Sequence, residues 1–421
     1  MTYPLLRLVC AIASTVLLTL SPQAVAQTAL QPAFQPVASN TAIIPKRIKV
    51  ILPSKADNFA IAAQRLRAGM EQALKAESQP VILEFIEIDD QPKSAVSVFE
   101  TLKKHSLDNN SPVTDVVIGP VLRPQINAVV NAKLMPSTQP NMPAMPVLLL
   151  NQPEQEWNSQ LPFFILSLNV EHEILLTGLE ILKTSGKTAQ IVTVTQAKSP
   201  LFSRVQKAVQ NFWYAQTNQV IPNVEVTQWD ATTRQQVYDK LTNQPVPKVV
   251  VLLGDAAQAK VWLTGLRKAN PAMKDVAIWG TSQLHPGTVS TATSTTERKL
   301  TELNEVRFLD MPWLLAPEHA AVMTYERLAD EGVTVEQERL YALGIDAFRV
   351  ALHLANHKQD AQPLQTLQID GVTGQLMPLG KTAFRTWYGA LGERMVWRQL
   401  MPARVVDGRV ESVINKKQIG F

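Results

Sequence analysis

The sequence predicts an α/β protein of two lobes, each a doubly wound, mostly parallel sheet flanked by helices. Three observations carry that prediction. Apolar runs of strand length alternate with segments of helical periodicity from residue 46 to about residue 280. The runs are contiguous rather than alternating, as in strands buried on both faces. The chain of 421 residues is too long for one core, yet the stretch after the second series is too short for a third lobe.

Arg47-Ile-Lys-Val-Ile-Leu52 reads as the first strand, ended by Pro53-Ser54. Phe59, Ala62, Ala63, Leu66, Met70, Ala73 and Leu74 then have the spacing of a helix over 58–77. Strands over 81–88, 115–118 and 146–150, with helices over 93–105 and 124–133, complete the first series. A second series has strands over 163–168, 189–195, 224–229, 248–253 and 276–280. Its helices cover 171–184, 203–215, 234–241 and 256–269. A Ser/Thr-rich connection over 283–296 leads to a strand over Phe308–Leu315, then to a helix with Tyr341, Leu343, Ile345, Phe348 and Val350 on its apolar face. The chain is expected to return here to finish both lobes. Lobe 1 is then 46–165 plus about 305–365, and lobe 2 is 166–304 plus about 366–421.

The N-terminus predicts export. Arg7, the apolar run Leu8–Leu20, the Ser21-Pro22 break and Ala24-Val25-Ala26 have the layout of a secretory signal peptide over 1–26, cleaved near Ala26. The run is too short to span a bilayer comfortably, so no stable membrane span is expected after cleavage. Cys10, the only cysteine, precedes most of that run instead of following it, which does not fit a lipid anchor. Without it the mature chain has no thiol for disulfides, nucleophilic catalysis or metal ligation. Residues 27–45, with Pro32, Pro36 and Pro45, read as a flexible linker.

Several chemistries find no support. The formal charge of +4 comes without a Lys/Arg cluster, so nucleic acid is not an expected partner. Gly186-Lys187-Thr188 matches the end of a P-loop, but Ile181 stands where its first glycine belongs. His353 and His357 have the spacing of a zinc pair, but Leu354 replaces the glutamate of H-E-x-x-H and no third ligand is evident. They read as solvated or capping histidines. No nucleophile elbow occurs. No metal, cofactor or catalytic group is expected.

Eight segments recur in a recognisable order: Val50–Pro53, Ile118–Val121, Leu148–Asn151, Leu166–Glu173, Phe308–Leu315, Arg339–Val350, Asp370–Leu376 and Phe384–Trp387. Together they resemble the penicillin-binding protein activator family (LpoA/LppC), specifically its C-terminal domain of type I periplasmic-binding-protein fold. The resemblance runs from about Lys46 to about Leu400. It implies a non-catalytic periplasmic regulator of peptidoglycan synthesis that activates a class A penicillin-binding protein by protein–protein contact. It departs from the best-known members, which are lipoproteins with a helical-repeat domain ahead of this one. The alternative on the same fold is the solute-binding protein of an ABC importer for amino acids or peptide fragments.

Ligands of such sheets bind beyond the carboxyl ends of the strands. Pro53, Ser54, Gly119, Pro120 and Asn151 follow strands of the first lobe, and Ser167, Thr281 and Ser282 follow strands of the second. These eight are the candidate cleft residues, with a small polar ligand as the possible occupant. Asp310, Pro312, Trp313, Tyr341, Asp346, Gly371 and Gly374 are the candidate hinge and architectural residues. The Trp313 indole N–H would need an acceptor, and Asp346 would hold a backbone or arginine partner. Arg385 and Trp387 are candidates to pair or stack against the turn at Gly371 and Gly374.

Overall fold

The computed structural model describes residues 44–56, 58–106, 112–132, 145–154, 162–241, 246–287, 301–330, 332–382, 384 and 392–413. The signal peptide, Cys10, nearly all of the linker, Arg385 and Trp387 lie outside the described residues.

The first sheet collects β1 (Lys46–Leu52), β2 (Val81–Glu87), β3 (Val116–Ile118), β4 (Val147–Leu149) and β5 (Phe163–Ile165), joined through α1 (Ala60–Ala76), α2 (Pro92–Ser106) and α3 (Arg123–Asn131). The strand order is β2-β1-β3-β4-β5 and every pairing is parallel. Ile48 lies opposite both Leu83 and Val116. Strands β3, β4 and β5 are buried along their whole length, which is why their sequences are unbroken apolar runs.

The second sheet starts with α4 (Val170–Ser185), β6 (Gln190–Gln196), α5 (Pro200–Thr217), β7 (Asn223–Val226), α6 (Ala231–Lys240), β8 (Lys248–Leu253), α7 (Ala256–Ala269), β9 (Ala277–Gly280) and β10 (Val306–Asp310). After α8 (Pro312–Leu315), α9 (Ala320–Met323) and α10 (Val335–Asn356) come β11 (Ile369–Asp370), β12 (Gln375–Pro378), β13 (Val396–Gln399), β14 (Met401–Val406) and β15 (Arg409–Ser412). The second sheet has the order β15-β14-β10-β9-β8-β6-β7, antiparallel only where β14 meets β10 and β15. One apolar cluster on this sheet draws on α4 and α5, through Ile174 and Trp213, and another on α6 and α7, through Val237 and Leu263. Strands β11, β12 and β13 form a small antiparallel third sheet.

Polar residues set the helix starts as capping chemistry requires. Asn169, Ser199, Asp230 and Thr334 each accept a backbone N–H at the first turns of α4, α5, α6 and α10. Asp255 and Gln258 close a capping box on α7.

Three expectations change. The segment at 163–168, grouped with the second series of strands, forms the edge of the first sheet. The return to the first lobe, expected at about 305, begins later, because β10 pairs with β9 and β14 in the second sheet. Finally, Phe308–Leu315 is not one strand. Asp310 Oδ1 accepts the Met311 N–H at 2.9 Å, and Pro312, with no N–H for a ladder, opens α8.

The return itself is made by α10. Its apolar face packs with α1 on β1 and β3, through Ala342, Ile345 and Phe348 beside Leu66, Met70 and Val50. The two helices touch backbone to backbone at Gly69 and Gly344. A Cβ on Gly69 would lie 2.0 Å from the Tyr341 carbonyl oxygen, and one on Gly344 would lie 2.2 Å from that of Leu66.

Candidate functional site

The carboxyl ends of β3, β4 and β5 open on a cavity of about 190 Å³. Val121, Leu150 and Leu168 line it from the first sheet, Leu340 and Leu343 from α10, and Leu201 from the start of α5. Arg123, Asn151, Asn169 and Glu171 supply its polar rim, and each is engaged. Asn151 Oδ1 accepts from Gln152 N at 2.9 Å and from Arg123 Nε at 3.4 Å. Glu171 accepts Arg204 Nε at 2.7 Å. Asn169 caps α4 and donates to Gln152.

Of the eight candidate cleft residues, Asn151 alone is among those lining this cavity. Pro53, Gly119 and Pro120 are buried at the strand ends. Gly119 has φ +96°, and a Cβ there would lie 2.4 Å from the Ile51 carbonyl oxygen, so this position requires glycine. Ser54 is half-buried, and its Oγ has no hydrogen-bond partner among the described residues. Ser167 contributes its carbonyl, which accepts Arg398 Nε at 2.9 Å. Thr281 Oγ1 accepts Gln283 N at 3.3 Å at the start of a short 3-10 turn.

Ser282 leads to the principal polar feature, a buried strut at the root of the cleft. Its Oγ donates to Glu173 Oε2 at 2.6 Å, and its carbonyl accepts Arg339 Nη2 at 2.9 Å. The same Nη2 donates to Asp310 Oδ2 at 2.6 Å. Helix α10, packed on the first sheet, is thereby bonded to the end of β10 and to the loop after β9, both in the second. Burial works against the charge on Arg339, but Asp310 beside it, aided by Glu173 and Glu336, holds the guanidinium above its usual range. Burial pushes Glu173 up, against the pull of Arg398 and Arg339.

Arg398 on β13 is 2% exposed, and its Nη1 and Nη2 have no hydrogen-bond partner among the described residues. Burial pushes it down, and the carboxylates of Glu173, Asp346 and Asp310 oppose that. Its carbonyl accepts the Nε2–H of His172, whose ring lies 3.8 Å from that of Trp397. Burial, aided by the charge of Arg398, pushes His172 down to about 3, so the imidazole is neutral at pH 7.

The remaining candidates form a second lock. Asp346 is fully buried and accepts Thr373 N at 2.7 Å, Thr373 Oγ1 at 2.7 Å and Val372 N at 3.2 Å. Gly371 leaves no room for a Cβ, which would meet Asp346 Oδ2 at 2.7 Å; Gly374 has φ +134° against the Gln399 backbone. Trp313 donates its indole N–H to Glu338 and its backbone N–H to Val372 O at 2.9 Å. Arg327 stacks over the Trp313 ring, and Tyr341 packs beside it. The Tyr341 hydroxyl donates to Glu326 O at 2.8 Å, and burial pushes it up to about 12.

Sequence reasoning did not single out Glu173, His172, Arg339 or Arg398 as site residues. A signal existed for Glu173, which lies at helical spacing from the buried Val170 and Thr177. For Arg398, in a four-residue strand, there was none. His353 Nε2 donates to Pro363 O, and His357 Nδ1 meets Asp360. Among the described residues no cluster of three or more His, Cys, Asp or Glu is placed to hold a metal, and no helix is long and apolar enough to cross a membrane.

Two mostly parallel sheets, flanked by helices and joined by a returning chain, define the type I periplasmic-binding-protein-like class. The sequence matches the family described as "LppC putative lipoprotein" over residues 18–382, and the chain belongs to that family, as its motifs imply. No curated protein matches it. A structure from Chromobacterium violaceum, described as a putative branched-chain amino acid ABC transporter, is 30% identical with TM-score 0.63, over 86% of this chain and all of that one. The C-domain of Haemophilus influenzae LpoA, described as a regulator of PBP1A, shares the fold at 18% identity and TM-score 0.63, over 88% of this chain and all of that one. Full-length LpoA from the same organism gives 18% identity and TM-score 0.64; the match covers 88% of this chain and 59% of LpoA.

Proposed function

We propose that this protein is an exported, non-catalytic regulator of peptidoglycan synthesis that acts by contact with a class A penicillin-binding protein. One observation carries the reading. Glu173, Ser282, Arg339 and Asp310 at the root of the cleft are bonded to one another and tie α10, on the first sheet, to the second sheet. A strut of this kind favours one relative placement of the two sheets, which suits a rigid docking body better than a receptor that closes on cargo. Family membership supports it, as does the shared fold of an LpoA domain described as a regulator of PBP1A. The synthase would be biased towards its active conformation by differential binding. Purified protein added to the synthase should bind it and raise its transpeptidase rate. Failure to recover any synthase from detergent extracts, with unchanged rates, sinks the proposal.

A second reading has its own observation. The leucine- and valine-lined cavity matches the side chain of a branched-chain amino acid, and the 30% identical structure is described as a transporter for that class. Leucine, isoleucine and valine would then raise the melting temperature by mass action. No shift with any of the three removes this reading.

A further inference from the structure

Arg398 on β13 is 2% exposed, and its guanidinium is turned towards the segment that leads from β5 into α4. A guanidinium has five N–H donors and no acceptor. The Nε–H donates to Ser167 O at 2.9 Å. Nη1 and Nη2, which carry the other donors, are buried with no hydrogen-bond partner among the described residues. An interior charge with unmet donors is far costlier than an unmet neutral group, so the folded protein must bring an acceptor to these two nitrogens.

The carboxylates around Arg398 are committed elsewhere. Glu173, whose charge acts on it most strongly, accepts Ser282 Oγ at 2.6 Å and Ser282 N at 3.3 Å. Asp310 accepts Arg339 Nη2 at 2.6 Å, and Asp346 accepts Thr373 N at 2.7 Å and Val372 N at 3.2 Å. None of the three is hydrogen-bonded to Arg398. The same groups decide against an anion as the acceptor. Glu173, Asp310 and Asp346 are matched by Arg398, Arg339 and Arg349, so a further negative charge would stand unbalanced in the interior.

Water meets both requirements. Its oxygen accepts from a guanidinium and its hydrogens donate to a carboxylate, so it joins two charged groups that do not touch. Glu173 is placed to receive it, because its bonds to Ser282 use Oε2 and leave Oε1 out of that contact. We propose that Arg398 holds internal water through Nη1 and Nη2, and that this water donates to Glu173 Oε1 and joins β13 to α4. The site is independent of either reading of the protein's function. It also divides the cleft root into two kinds of joint. Direct bonds of 2.6 and 2.9 Å fix Arg339 to Asp310 and Ser282, whereas a water-bridged contact can lengthen as the water shifts.

The test is a crystal structure of the full chain at a resolution that places ordered waters, from one crystal grown without halide and one soaked in bromide. Water should lie within about 3.2 Å of Arg398 Nη1 or Nη2 and also of Glu173, with no anomalous peak for bromide at that place. In solution, oxygen-17 relaxation dispersion counts long-lived internal waters. Arg398→Met keeps much of the side-chain length without the donors, and it should hold fewer such waters than the parent. The crystal measurement uses the parent chain, so it decides the matter even where the variant does not fold. A direct bond from Nη1 and Nη2 to protein acceptors with no water between, a bromide peak on the guanidinium, or an unchanged water count in folded Arg398→Met overturns the proposal.

Discussion

Arg339 Nη2 donates to Asp310 Oδ2 at 2.6 Å, an ion pair with 7% and 2% of the two side chains exposed. The arginine belongs to the helix laid on the first sheet, and the aspartate ends a strand of the second. Such a pair is costly to desolvate, but once formed, loss of one partner strands the other charge in the interior. Arg339→Met should therefore cost about 3–5 kcal/mol in urea denaturation. Arg339→Met with Asp310→Leu should be less destabilised than the sum of the two single changes. Arg339→Lys should not restore stability, because a single ammonium replaces a guanidinium that reaches both Asp310 and the Ser282 carbonyl.

Much of this architecture is legible in the sequence, for physical reasons. Strands buried on both faces favour unbroken apolar runs, so β3, β4, β5 and β8 announce themselves. The third sheet did not: β11 is two residues long, β12 contains Gln375 and Pro378, and β13 contains Arg398 and Gln399. Asp310 and Asp346 stood out as carboxylates among apolar residues. Their arginine and threonine partners lie 29 and 27 residues away, and Ser282 lies 109 residues from Glu173. No local pattern encodes such pairings.

His172 makes stability fall in acid. Its folded pKa of about 3 lies below the unfolded value, so between roughly pH 6.5 and 3 the unfolded chain binds the extra proton and gains on the folded one. The stabilisation present above about pH 6.5 is lost as pH falls through that window, and at about pH 4.5 the loss should reach roughly 2–3 kcal/mol. Glu173, pushed up by burial, contributes the opposite slope, with stability declining as pH rises above its unfolded pKa. His172→Gln keeps a donor for the Arg398 carbonyl without a titrating proton. Denaturation at pH 7 and at about pH 4.5 should then show a smaller acid loss in the variant. Equal losses would contradict the buried neutral imidazole.

Gly69 and Gly344 invert a common rule. In an exposed helix interior, glycine to alanine stabilises by about 1 kcal/mol. Here the new methyl would sit 2.0 Å or 2.2 Å from a carbonyl oxygen of the facing helix, and neither backbone can yield without separating α1 from α10. Each alanine variant should be destabilised by about 1–3 kcal/mol or more, the usual cost of overpacking. Thermal melts would show it as a clear drop in midpoint. A rise in midpoint would mean that the helices are not in backbone contact.

Asp346 and the turn at 371–374 are the most demanding case, because one carboxylate serves four donors. Both oxygens are used, Oδ2 by Thr373 N and Oγ1 and Oδ1 by Val372 N, with Arg349 Nη1 at 3.3 Å from Oδ1. Asp346→Asn keeps the volume but turns an amide N–H towards at least one of these donors, which should cost about 1–3 kcal/mol. Thr373→Val leaves both backbone bonds and should cost about 1 kcal/mol. Gly371→Ala should resemble Asp346→Asn from the other side, since its methyl displaces Oδ2. Hydrogen exchange separates a local from a global effect. In Asp346→Asn the amides of Val372 and Thr373 should exchange faster by more than the change in global stability accounts for, since they lose their own acceptor. Unchanged protection at these two amides would show that the turn holds itself, and the carboxylate would then be a passenger in the core.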